Sequence, residues 1–191
     1  MGCDIHIYKE KKIKNKWKSI DTWVTDDYGY TSVPYEKSCY KGRNYNFFGL
    51  LCDGVRTSHT FSLKERGLPN QVSKEVFDRF KYWGSDAHST SFLTVEELQE
   101  LSELLKTSTI EISGEKDVNQ LKKLEESINS DIPTDWDLLY PYSKWSSRET
   151  DVPFKIDAPA SFIIGNDIDT IIKSFEGHDA RCCRVVFWFD N

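Results

Sequence analysis

The sequence predicts an α+β fold: a mostly antiparallel sheet with the N- and C-terminal strands adjacent and helices packed on one side. Residues 3–8 alternate between apolar and polar side chains, which is typical of a strand with one buried face. Residues 183–190 are apolar on both faces, which indicates a central, buried strand. Between these ends, apolar residues recur at helical spacing over 73–83, 94–105 and 118–128.

The first part of the chain is expected to form a hairpin, a loop and a short helix. A polar, basic run separates the two hairpin strands, and glycines and a proline mark the loop that follows. The expected order is a strand over 3–8, a turn over 9–16, a strand over 17–24, a loop over 25–42, a helix over 43–52 and irregular chain over 53–72.

Start and stop signals define the remaining helices. Ser73 is a suitable N-cap and Gly84 ends the helix that follows, so Asp86 and His88 are expected in a loop. A capping-box pattern beginning at Thr94 opens the next helix. The later expected elements are a strand over 109–113, a helix over 118–128, a long structured loop over 133–159 and a helix over 164–175.

The composition indicates one cytoplasmic domain over residues 1–191. Its net charge of −6 argues against broad DNA or RNA binding, which needs a basic surface. No apolar run approaches the roughly 20 residues that span a bilayer and no signal peptide is visible, so no membrane association is expected. The five cysteines have no regular spacing, which indicates reduced thiols. The oligomeric state stays open.

Two short segments share the pattern Gly-small-Asp-apolar-His, and they contribute Asp4 with His6 and Asp86 with His88. Side chains two apart in a strand point to the same side. The four side chains are predicted to form one catalytic site, which either holds Zn²⁺ or Mn²⁺ or uses a histidine as acid or base without a metal. The alternative is that each Asp caps a turn and each His makes a buried polar contact.

Further residues are candidates for binding a small nucleotide. Arg43 and Arg56 flank a predicted helix. Guanidinium groups and helix N-termini both bind phosphate, so the two arginines are candidates for holding it. The commoner use of arginine is pairing with a carboxylate. Trp83 directly precedes the second Asp-x-His segment and is predicted to stack on a base. Tyr45 and Ser91 complete the predicted ligand-binding set.

Two further features depend on the tertiary fold. If the last strand lies beside the first, Asp190 can reach the Asp4 and His6 face; otherwise it belongs to a solvated terminus. Tyrosines clustered over 28–40 are candidates for lining a cleft, with core packing or loop anchoring as the alternative.

Several segments resemble a family of phage and bacterial proteins that begin Met-Gly-Cys-Asp-Ile-His. The segments are Met1 to His6, the Arg43-x-Tyr45-x-x-Phe48-Gly49-x-Leu51 pattern, Gly67-Leu68-Pro69, Trp83-Gly84-x-Asp86-x-His88-Ser89, and Val186 to Asn191. The resemblance touches both termini and the first half of the chain. It does not cover residues 107–160, which look like a variable insertion.

The phage setting of that family suggests, by analogy, a protein that neutralises a host defence by acting on a cyclic nucleotide immune signal. In this interpretation, the two Asp-x-His pairs activate water or a ribose hydroxyl for phosphodiester cleavage, and the arginines hold phosphate. Two alternatives stay open: a sponge that sequesters the nucleotide without cleaving it, and an inhibitor that binds a host defence enzyme.

Overall fold

The computed structural model describes residues 2–56, 59, 61–130 and 150–190. The chain forms two compact units. The first comprises Met1–Arg43, Lys64–Ser102 and Asn166–Asn191, and the second comprises Asn44–Leu63 and Glu103–Gly165. That residues 1–191 form one domain, with a variable insertion over 107–160, stays a prediction.

An antiparallel sheet of four strands organises the first unit. Its strands, numbered in chain order, are β1 (Asp4–Ile13), β2 (Lys16–Ser19), β5 (His88–Thr94) and β8 (Cys183–Asp190). They lie side by side in the order β2-β1-β8-β5. Two short strands, β3 (Val24–Thr25) and β4 (Thr31–Ser32), form a separate antiparallel ribbon in the same unit.

The pairing of β1 with β8 joins the two ends of the chain. Asp4 lies opposite Asp190, and the register continues to Lys11 opposite Cys183. Every β8 residue except the last is buried, as expected for a central strand that is apolar on both faces. The predicted α+β fold, with terminal strands adjacent and helices packed beside an antiparallel sheet, is confirmed.

Helices α2 (Lys74–Trp83) and α3 (Val95–Thr107) follow the sequence signals, and α6 (Asp167–Lys173) covers the later part of the helix expected over 164–175. α2 covers one sheet face, where Val76 packs with Tyr8, Val186 and Trp188 in a buried cluster. α2 ends at Gly84, whose φ of 53° is readily adopted by glycine. The predicted capping box is present at the start of α3, because Thr94 Oγ1 accepts the Glu97 N–H and the Glu97 carboxylate accepts the Thr94 N–H.

The second unit combines helices with a two-stranded ribbon. Its described elements are α1 (Tyr45–Leu51), β6 (Thr109–Asp117), α4 (Val118–Ser130), β7 (Asp151–Pro159) and α5 (Ala160–Ile164). β6 and β7 pair antiparallel along their whole length. Asn44 caps α1 by accepting two backbone N–H groups, and its amide donates to the Ile164 carbonyl oxygen.

The structure differs from the predicted elements in several places. β1 continues to Ile13, into the expected 9–16 turn, and β5 forms where no strand was expected. Residues 151–159, expected in a loop, form β7; its two prolines and mostly non-buried side chains conceal a strand that has only one partner in the described part of the chain. The helix expected over 164–175 is divided at Gly165, whose φ is 71°. The strand expected over 17–24 ends at Ser19. The rest of the predicted 133–159 loop, up to residue 149, lies outside the described residues.

None of the described helices has the length and apolar character needed to cross a bilayer. The longest, α3 and α4, have 13 residues each. The cytoplasmic location stays a prediction.

A buried ion pair joins the sheet to the start of α2. Glu10 and Arg184 lie opposite each other on β1 and β8, and Arg184 Nε donates to Glu10 Oε2 at 2.8 Å. The other Glu10 oxygen accepts the Ser73 N–H at 2.6 Å, at the position that precedes α2. The Glu10 side chain is 0% exposed and that of Arg184 is 5% exposed. Both Glu10 oxygens are therefore satisfied in a site without solvent, and the Ser73 contact fixes where α2 begins.

We expect Glu10→Gln to destabilise the first unit strongly. The substitution keeps the shape and the acceptor for Ser73 but leaves the Arg184 guanidinium buried without a counter-charge, which costs about 3–5 kcal/mol. Urea unfolding monitored by tryptophan fluorescence measures the change. Glu103→Gln, which breaks the exposed ion pair with Lys106, is the matched control and should cost no more than about 1 kcal/mol. Equal losses in the two variants would contradict this account of the buried pair.

Candidate functional site

A polar pocket of about 490 Å³ opens beside the start of β1. We call it the His6 pocket. It combines one imidazole with three cationic side chains and several phenols, a mixture suited to an anionic ligand with aromatic groups. The chemically active residues that line it are Asp4, His6, Tyr8, Tyr35, Tyr40, Lys41, Arg43 and Arg79.

Asp190 holds the His6 imidazole. His6 lies opposite Trp188 in the β1–β8 register, so Asp190 is its diagonal neighbour on the same face of the sheet. The His6 Nε2 and Asp190 Oδ2 atoms are 3.2 Å apart, and Asp190 Oδ1 accepts the Asp4 N–H at 3.0 Å. Asp190 therefore reaches the Asp4 and His6 face, as the sequence predicts for adjacent terminal strands.

Burial favours the neutral form of the His6 imidazole. Desolvation lowers the pKa of His6 below its usual 6.5, while the hydrogen bond and the charge of Asp190 act in the opposite direction. In a neutral imidazole, the contact with a carboxylate places the proton on Nε2 and leaves the lone pair on Nδ1. In its neutral form His6 is thus an oriented base, because Asp190 fixes its tautomer.

Asp4 is engaged with Arg43 at the mouth of the pocket. Arg43 donates from Nε to Asp4 Oδ1 at 2.8 Å and from its terminal nitrogen to Oδ2 at 2.6 Å, which is a bidentate pair. Both side chains are about half exposed, at 54% and 55%. The commoner use of arginine, pairing with a carboxylate, therefore applies to Arg43, and the pair positions its guanidinium at the pocket.

An aromatic wall stands against His6. The Trp83 ring centroid lies 4.2 Å from that of His6, and the Trp188 ring centroid lies 5.9 Å from it. The Arg79 guanidinium lies over the Trp83 ring at 5.5 Å and is hydrogen-bonded to the Tyr8 and Tyr30 hydroxyls. The Trp83 ring therefore lies against the imidazole, and its stacking on a base of the ligand stays a prediction.

Three buried N–H groups in this region have no hydrogen-bond partner among the described residues. They are Arg79 Nε, Trp83 Nε1 and Trp188 Nε1. A buried donor without a partner costs about 1–3 kcal/mol, and such donors are rare in native structures away from sites of function or bound water. Their presence around one imidazole distinguishes this region from an ordinary core.

The structure does not bring the two imidazoles of the Asp-x-His segments together. His88 pairs with Phe189 across β5 and β8, whereas His6 pairs with Trp188 across β1 and β8. Because consecutive residues of a strand point to opposite faces, His6 and His88 lie on opposite faces of the sheet. His88 begins β5 instead of lying in a loop, since the strand accommodates a bulge just after it. Asp86 is exposed in a 3-10 turn.

The remaining predicted ligand-binding residues lie elsewhere. Ser91 is buried in β5, where its hydroxyl accepts the Arg66 N–H at 3.3 Å. Tyr45 and Arg56 belong to the second unit, while the described lining of the His6 pocket belongs to the first. The Tyr45 ring lies 5.7 Å from that of Phe48, and Arg56 is exposed with a φ of 49°.

Arg79 is a cationic residue of the His6 pocket that the sequence interpretation missed. It lies three residues after Val76 and four before Trp83, which places it on the core-facing side of α2. A cation within an apolar helical stripe is unusual and could have been noticed. Of the tyrosines clustered over 28–40, Tyr35 and Tyr40 line the His6 pocket.

The residues predicted as metal ligands do not form one set. Asp4 is paired with Arg43, and His88 lies on the other face of the sheet from His6. Within the described ranges, no group of three or more His, Cys, Asp or Glu side chains is placed to hold a metal ion. Binding of Zn²⁺ or Mn²⁺ stays a prediction, and no step proposed below depends on it.

Comparisons of the chain with family models, with curated proteins and with solved structures give no significant match. The function must therefore be argued from the geometry of the site and from the chemistry of its residues.

We expect Asp190→Asn to lower the pKa of His6 further. Asp190 favours the protonated imidazole, so its neutral replacement leaves burial less opposed. NMR titration of the imidazole resonances measures this shift. His59 is the internal reference, because its pKa is lowered by burial in a different environment and should be the same in both proteins. An unchanged or raised His6 pKa in the variant would show that the two side chains do not interact as described.

Proposed function

We propose that the His6 pocket binds a phosphorylated nucleotide and that His6 acts as the acid–base group in cleaving its phosphodiester bond. The observation that carries the proposal is an imidazole oriented by Asp190 in a pocket that also contains Lys41, Arg43 and Arg79, and burial lowers the pKa of that imidazole. A base near neutral pH next to fixed cations is the combination that phosphoryl chemistry requires.

The cations supply the binding energy for phosphate. Guanidinium groups bind phosphate through paired N–H donors, and Arg43 is already held by a bidentate contact that a phosphate can compete with or extend. Arg79 is close enough to His6 to influence its pKa electrostatically. Both Arg79 and Arg43 border the same pocket as His6, so a phosphate held between them lies near the imidazole.

The proposed reaction needs only this acid–base group. His6 Nδ1 takes a proton from water or from a neighbouring ribose hydroxyl, whose oxygen then forms a bond to phosphorus. The P–O bond to the leaving nucleoside oxygen breaks, and the protonated His6 returns the proton to that oxygen. Arg79 stabilises the negative charge that develops on the phosphoryl oxygens during the attack.

The resemblance described above adds the expectation that the ligand is a cyclic nucleotide immune signal of a host defence. Sequestration without cleavage is the second candidate, and one observation favours it: His6 is the one imidazole in the described lining of the pocket, so no second imidazole there can serve as the acid. Inhibition of a host defence enzyme by direct binding stays a prediction from the sequence.

We expect purified protein to cleave at least one member of a panel of cyclic di- and trinucleotides, and His6→Gln to reduce the rate by about 10²–10⁴-fold. Because His6 must be neutral to act as base, the rate should stay high at pH 6.5 and fall only at lower pH. Chromatography of the products, with and without EDTA, measures turnover and tests the metal expectation.

The matched comparison is His88→Gln, which replaces a half-buried imidazole on the opposite sheet face and should leave the rate unchanged. Loss of turnover in both variants would support the two-imidazole site predicted from the sequence and contradict the single-base proposal. Binding of an intact ligand that is recovered after denaturation would identify a sponge. Absence of both cleavage and binding across the panel would reject the nucleotide function.

A further inference from the structure

We infer that a second pocket, separated from the His6 pocket by Arg79, binds the nucleobase of the ligand and prefers guanine; this inference rests on the proposed function. The second pocket has a volume of about 430 Å³ and lies between α2 and the ribbon of β3 and β4. We call it the Tyr82 pocket. The residues that give it its chemistry are Tyr30, Lys74, Glu75, Asp78, Arg79 and Tyr82.

Arg79 connects the two pockets. Its side chain borders both of them, and in the described lining it is the residue that they share. Its guanidinium lies 4.9 Å from the Tyr30 ring centroid and 5.0 Å from that of Tyr82. A nucleotide whose phosphate contacts Arg79 from the His6 side can therefore place its base on the other side of this residue.

The charges of the two pockets indicate which pocket binds the phosphate and which binds the base. The His6 pocket contributes Lys41 and Arg43 in addition to Arg79. The Tyr82 pocket contributes the carboxylates of Glu75 and Asp78, and Lys74 is paired with Asp78. In the Tyr82 pocket the two carboxylates offset the two cations, Lys74 and Arg79, whereas three cations face one carboxylate in the His6 pocket. The Tyr82 pocket therefore attracts a phosphate less strongly and suits the uncharged part of the ligand.

The aromatic rings supply a stacking surface. The Tyr82 side chain is 62% exposed, which is unusual for a large ring in a concave site. Tyr30 contacts it edge to face, with ring centroids 4.6 Å apart and an interplanar angle of 75°. This contact and the adjacent Arg79 hold the Tyr82 ring in place, so that its open face can receive a planar base.

The carboxylates favour a base with two adjacent donors. The N1–H and N2–H groups of guanine match the two oxygens of one carboxylate, whereas uracil presents a single N–H between two carbonyl oxygens. Glu75 is exposed at the rim of the pocket, and Asp78 is engaged with Lys74. Glu75 is therefore the residue that distinguishes guanine from uracil.

Calorimetric titration with guanosine 3′-monophosphate and uridine 3′-monophosphate tests the inference. We expect the wild-type chain to bind the guanosine nucleotide about tenfold more tightly or better. Glu75→Gln should reduce this preference to within about threefold, because an amide offers one acceptor where the carboxylate offers two. Glu100→Gln, an exposed charge on α3, is the control and should keep the preference.

The stacking role has its own variants. Tyr82→Ala should weaken the binding of both nucleotides by about tenfold or more. Tyr82→Phe should bind them as the wild-type chain does, because it keeps the ring. Tyr28→Ala removes a ring that is 96% exposed and outside the described lining of the pocket, so it should change neither affinity.

Titration with inorganic phosphate separates this inference from the proposed function. If phosphate binds but the two nucleotides bind equally and Tyr82→Ala has no effect, the inference that the Tyr82 pocket binds a base is rejected. The proposal that phosphate binds in the His6 pocket is then kept. If neither phosphate nor nucleotide binds, the proposed function and the base pocket both fail.

Discussion

The pairing of β1 with β8 is the constraint on which the first unit depends. It brings Asp4 and Asp190 together although they are 186 positions apart in the chain. Closing so long a separation is entropically costly and must be offset by burial, which the apolar residues of β8 provide. Further along the same strand pair, Glu10 and Arg184 form a buried ion pair that also binds the residue preceding α2.

One strand pair thus has two kinds of polar contact, separated by an apolar stretch. At the Glu10 position the polar groups satisfy each other completely and fix the start of α2. At the Asp190 position, the polar groups face a pocket and the imidazole keeps one nitrogen available. Because α2 is fixed at its start, two residues later in that helix have defined positions: Arg79 lines the pocket and Trp83 packs against the His6 ring. The buried ion pair therefore supports the site at a distance.

The sequence predicts the strands that carry the site better than it predicts which residues the site contains. Alternation over residues 3–8 and the two-sided apolar pattern over 183–190 identify β1 and β8, and these strands bring Asp190 to His6. Whether His88 shares that site depends on which face of the sheet it occupies. A bulge follows His88, with Ser89 at a φ of 51°, and the matching Gly-small-Asp-apolar-His patterns contain no information about it.

Arg79 shows a different reason why sequence patterns fall short. Its helical position is predictable, but its pocket also requires β1 and the loop residues between Val33 and Arg43, which no local periodicity relates to α2. The same holds for the Tyr82 pocket, which needs the short ribbon of β3 and β4. Sites assembled from distant segments need the tertiary fold.

The four histidines are natural probes of ligand binding at the His6 face of the sheet. NMR spectra of the imidazole groups, recorded while guanosine 3′-monophosphate is added, report on each of them separately. We expect the His6 resonances to shift in a saturable manner while those of His88, on the opposite face, stay in place. A shift of His88 with His6 unchanged, or no response from any imidazole, would contradict this expectation.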